Sequence, residues 1–88
     1  MDFQDMTLKD CEFSIDILYS QLSTDSIRKL VDVESTIGLI DNLRHTYLNL
    51  QIPLSIPEKN KNLKNYQDFM KKCIVCCDFV EKQMPYCN

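Results

Sequence analysis

The hydrophobic positions fall into three helix-like stretches. In the first, Leu8, Cys11, Ile15, Leu18 and Leu22 recur at spacings of three and four, with Tyr19 beside them. That is the period of one face of an α-helix. Thr7 precedes the run and Asp10 follows three places on, a capping-box pattern with Asp in place of the usual Glu or Gln. The spacing predicts a helix from Leu8 to Gln21 or Leu22. Phe13 and Ile17 stand off this face, one turn apart on the otherwise polar side.

Ser23-Thr24-Asp25-Ser26 offers side chains that suit a helix N-cap. A short connection there makes the first and second helices an antiparallel αα-hairpin. The second helical region runs to about Leu50 without a proline. Its apolar positions change sides: Ile27, Leu30, Val31, Val33 and Ile37 share one side, and Leu39, Ile40, Leu43, Tyr47 and Leu50 nearly the opposite one. A bend or break is expected near Val33–Gly38, where Ser35, Thr36 and Gly38 weaken helical preference.

Residues 51–63 read as the one substantial loop. Pro53 and Pro57 oppose a regular helix there. Leu54 and Ile56 are expected to lie against the bundle, and residues 58–62 to be solvated. The last helix is expected from about residue 65 to Met84, stopped by Pro85. On its wheel Tyr66, Phe69, Met70, Cys73, Ile74, Cys76, Cys77, Val80 and Met84 fall on one broad arc, the mark of a helix packed into a core. Val75 and Phe79 fall on the polar side, again four apart. No alternating strand pattern and no internal repeat is visible. The predicted fold is all-α: a single domain over residues 1–88, a small bundle of three helices or of four if the second splits, with an αα-hairpin and a long C-terminal helix after a proline-containing loop.

Composition narrows the chemistry. The chain has 88 residues and a formal net charge of −3. The first 25 residues hold most of the acid excess, and residues 58–88 carry more bases than acids, so an acidic first helix beside a basic last one is expected. Net acidity argues against a nucleic-acid binder, which presents a basic face. No run of 18 apolar residues suggests a membrane span. The acidic N-terminus does not resemble a secretory signal, and an odd count of five cysteines argues against a disulfide framework. These features point to an intracellular, cytoplasmic setting, within a host cell included.

The cysteines still require a decision. Cys73-Ile-Val-Cys76-Cys77 contains a CxxC spacing, but structural zinc needs four ligands, typically in two separated pairs. The remaining candidates, Cys11, Cys87 and His45, stand at no familiar spacing. The motif lies within a helical run with no turn former, so Cys73, Cys76 and Cys77 read first as small core hydrophobes. A thiol- or zinc-dependent protein using Cys73, Cys76, Cys77 and Cys87 is the alternative. A DNA-binding regulator is a second one, weakened because Arg28 and Lys29 are followed at once by Asp32 and Glu34. His45 reads as a boundary residue. One glycine excludes a phosphate-cradling loop.

Two off-face pairs on two helices remain: Phe13 with Ile17, and Val75 with Phe79. Either each helix is sandwiched between neighbours, or these residues meet a partner. The favoured reading is a non-enzymatic protein-binding module without cofactor or metal, of the adaptor, inhibitor, immunity-type or secretion-chaperone-like kind. Its partner would be another protein with a basic surface, or a second copy in a homodimer, with no nucleic acid or membrane involved. Phe13, Ile17, Val75 and Phe79 are the expected contacts.

Overall fold

The computed structural model describes residues 5–22, 32–52 and 54–83. Three helices make up this part of the chain: α1 (Leu8–Gln21), α2 (Val33–Gln51) and α3 (Ile56–Gln83). The protein is all-α. α3 has 28 residues, so it spans about 42 Å and sets the long axis of a molecule measuring 47 × 24 × 17 Å.

α1 begins and ends where the spacing placed it. Thr7 Oγ1 accepts a hydrogen bond from the Asp10 amide at 3.2 Å, and the Asp10 carboxylate accepts one from the Thr7 amide at 3.1 Å. Both halves of the capping box are therefore made, even with the shorter Asp. The cap serves two of the orphan donors that every helix start presents.

The second helical region is corrected. α2 starts at Val33 with Asp32 as its N-cap. Asp32 accepts from both the amide and the hydroxyl of Ser35, and those bonds hold its carboxyl below the usual aspartate pKa. Ser35 and Thr36 therefore help to start the helix. Gly38 lies inside it. Val33 also shares the buried face of Thr36, Ile40, Leu43 and Tyr47, because 33, 40 and 47 are spaced by seven, which is close to two turns. The apolar face does not change sides within α2. The capping expected at Ser23–Ser26, and the apolar positions Ile27, Leu30 and Val31, lie outside the described residues.

The loop expected over 51–63 is mostly helix. α3 starts at Ile56 and contains Pro57. A proline in the first turn removes an amide that would have no intrahelical partner there, so it costs little. Ser55 opens the helix: its amide donates to the Glu58 carboxylate at 3.4 Å, and its carbonyl accepts from the Lys59 amide at 2.7 Å. Ser55-Ile-Pro-Glu58 is itself a capping-box spacing. The short connection, residues 52–55, makes α2 and α3 a helical hairpin, and the turn expected between the first and second helices lies outside the described residues. Gln51 Nε2 donates to the Asn62 carbonyl across it at 3.1 Å.

The core forms where α1 lies on this hairpin. Met6, Cys11, Ile15, Ile40, Leu43, Tyr47, Phe69, Cys73 and Cys76 make one buried cluster. Tyr47 is its largest fully buried side chain, stacked on Phe69 with ring centroids 4.3 Å apart and on Tyr66 at 5.9 Å. Aromatic pairs at such distances add to the stabilisation by burial. Two polar links fasten α1 from outside. Tyr47 Oη donates to Glu12 Oε1 at 3.2 Å, and Lys72 pairs with Asp16. The second places acidic α1 beside basic α3, as the charge distribution suggested. Lys72 Nζ also sits 5.8 Å from the centre of the Tyr19 ring, within cation–π range.

Candidate functional site

Three sets of residues can be weighed as a site: the cysteines, the carboxylates between α1 and α3, and the apolar residues left on the surface.

Cys11, Cys73 and Cys76 are buried, and Cys77 is half-buried. Burial raises the Cys73 thiol to about 12 and the Cys76 thiol to about 11. The neighbouring thiols push the same way. A metal ligand or nucleophile needs the thiolate, and this environment disfavours it. Among the described residues no three His, Cys, Asp or Glu side chains converge as a metal site would require. Cys87 lies outside the described residues. The buried cysteines act as packing residues of the core.

A polar cleft of about 220 Å³ between α1 and α3 is lined by Glu12, Asp16, Asn65, Asp68 and Lys72 over Ile15 and Phe69. Its carboxylates are already committed in part, Glu12 to Tyr47 and Asp16 to Lys72. The cleft thus reads as the seam that fastens α1. His45 is exposed on α2.

The surface apolar residues are the more informative set. Phe13 is 67% exposed and Ile17 42%, so α1 is not sandwiched between two neighbours and this pair faces outward. Val75 is exposed as well, whereas Phe79 is half-buried, so the α3 pair is only partly open. Ile74, placed on the core arc by its spacing, is 53% exposed. The arc is wider than the groove it packs against. Ile74 lies roughly 100–120° round the helix from Cys73 and Val80, which are buried, and among the described residues no neighbouring helix reaches that far.

A further set was not anticipated. Leu48 and Ile52 at the end of α2, with Leu63 on α3, line a shallow groove of about 320 Å³ that also includes Gln51, Lys59 and Asn62. Ile56, expected against the bundle, is 74% exposed, while Leu54 is half-buried. Reading residues 51–63 as loop hid this pattern. With α3 starting at Ile56, the positions Ile56, Leu63, Met70 and Cys77 recur every seven residues, the repeat of a helix that packs along another. No family model, curated protein or solved structure matches the chain.

Proposed function

We propose that the chain is a non-enzymatic protein-binding module that docks through its helices, in the manner of a small adaptor, inhibitor, immunity-type or secretion-chaperone-like protein. One observation carries the reading. Phe13 and Ile17, a turn apart on α1, are exposed, while Cys11 and Ile15, on the opposite side of the helix, are buried. The helix thus has a second apolar face that the fold does not use. An aromatic with an aliphatic neighbour at i+4 is the anchor geometry of helix-mediated recognition. Asp10, three positions from Phe13, places a carboxylate beside that face, while Lys9 and the Asp16–Lys72 pair lie on its other flank. The Asp10 carboxylate favours a partner with a basic group opposite it. Val75 and the half-buried Phe79 are secondary contacts.

The test is the double substitution Phe13→Ser with Ile17→Ser in the full chain. Helical circular dichroism and Tm should be unchanged, because exposed apolar residues contribute little to folding. Capture of the partner, identified by mass spectrometry from the source cells, should be lost. If the double variant unfolds, the pair belongs to the core. If it folds and keeps its partner, the α1 face is not the docking surface.

A further inference from the structure

The α2–α3 hairpin has two long sides. α1 fills the groove on one of them and shows what kind of element the hairpin takes up. It is an amphipathic helix that buries Cys11 and Ile15 and reaches Lys72 at the groove's edge with Asp16. The opposite side repeats the receiving half of that arrangement. At about 100° per residue, Leu63 and Ile74 point roughly 160–180° away from Lys72. Ile56, Leu63 and Ile74 are each more than half exposed and lie within about 20° of one line. From Ile56 to Ile74 this row runs about 27 Å. Leu63 shares its groove with Leu48 and Ile52 of α2, so the apolar surface crosses from one helix to the other.

The charges beside the row are one-sided. Lys59 lines the groove itself. Lys64 and Lys71 flank the row, about 80–100° round the helix from Leu63, where side chains edge a helix–helix contact. All three lysines are exposed, and among the described residues no carboxylate pairs with them. Glu58 and Asp68, the carboxylates on this stretch of α3, stand about 140° from Leu63. On α2, Asp41 is already paired with Arg44. Glu34, Asp78 and Glu81 lie toward the far end of the hairpin. The stretch from Ile56 to Lys71 is therefore an apolar row with a basic border.

We propose that this side is the docking groove for an acidic amphipathic helix of a different protein. That helix lies along the groove as α1 lies along the other one. It sets Leu, Ile or Phe side chains against Leu48, Ile52 and Leu63, and turns Asp or Glu toward Lys59, Lys64 and Lys71. A basic helix would meet like charge there, and a concave groove between two helices suits a helix rather than a flat lipid surface. The groove lies on the side of the hairpin away from α1, so the proposal does not depend on the Phe13–Ile17 face.

The probe is a synthetic helical peptide of about 18 residues, with Leu on one face and Glu along both edges of that face. It is titrated into methyl-labelled chain and followed by nuclear magnetic resonance. The acidic peptide should shift the Leu48, Leu63 and Ile74 methyls and leave those of Ile15 and Leu43 unchanged. A peptide with Lys in place of every Glu should bind at least about tenfold more weakly. Lys64→Glu with Lys71→Glu, at exposed positions that leave the helices intact, should reverse that order. Leu63→Glu with Ile74→Glu should abolish binding of the acidic peptide; if circular dichroism shows that this variant unfolds, the lysine reversal decides. Phe13→Ser with Ile17→Ser should leave both affinities unchanged. Equal binding of the two peptides, shifts at Ile17 in place of Leu63, or no shift with millimolar acidic peptide overturns the proposal. So does a chain that sediments with phosphatidylserine vesicles and ignores the acidic peptide, which gives the row to a lipid surface. A wild type that dimerises through Leu63 and thereby excludes the peptide overturns it as well, in favour of a second copy.

Discussion

The two sides of the α2–α3 hairpin carry similar residues and meet different fates. On one side Tyr47, Phe69 and Cys73 pack against Cys11 and Ile15 of α1 and are sealed from solvent. On the other, Leu48, Ile52, Ile56, Leu63 and Ile74 remain open. Residue type therefore does not decide burial here. What decides it is whether a neighbouring helix lies along that side. The hairpin supplies two apolar sides, and the described part of the chain covers one.

Substitutions should separate the sides by stability. The largest effect belongs to Tyr47→Ala on the covered side. It removes the central stacked ring and its bond to Glu12, and should cost about 3–5 kcal/mol by urea denaturation. Raising the pH is the next most damaging. Cys73 and Cys76 have thiols raised above their ordinary value of 9.0, to about 12 and about 11. Cys11 and Tyr47 shift upward as well, chiefly through burial. A raised acid keeps its proton in the fold and loses it first in the unfolded chain. Its contribution is thus complete below about pH 9 and declines as pH climbs toward the folded values. Tm should fall by about 5 °C or more between roughly pH 8.5 and 10.5, with Cys11, Cys73 and Cys76 modified by thiol reagents only as the chain opens. Thr7→Ala, which removes half the capping box of the covering helix, should cost about 1 kcal/mol. The smallest effect is expected on the open side, where Ile74→Ser should change the stability of the monomer by no more than about 0.5 kcal/mol. A loss there equal to that of Tyr47→Ala would erase the distinction between the sides.

The sequence specifies α1 almost completely, because its spacing and its N-terminal capping box agree with each other. The start of α3 was harder to read. Pro53 and Pro57 both look like breakers, yet only a proline beyond the first turn breaks a helix. The informative signal was Ser55 with Glu58 around Pro57. The core face of α2 was blurred by counting its apolar positions together with those before Asp32, where the helix start resets the register. The outward pair Phe13 and Ile17 was legible from periodicity. The stripe through Leu63 and Ile74 was not, because a helical wheel gives each side chain's direction but not the number of helices that will meet it. A broad arc is the same signal whether a helix has two neighbours or one neighbour and an open flank.

The most direct test of the unequal sides is solvent paramagnetic relaxation on methyl-labelled chain, which reports how close each methyl lies to solvent. The account predicts strong broadening of the Leu63 and Ile74 methyls and little of the Ile15 and Leu43 methyls on the covered side. Equal broadening on both sides would contradict it.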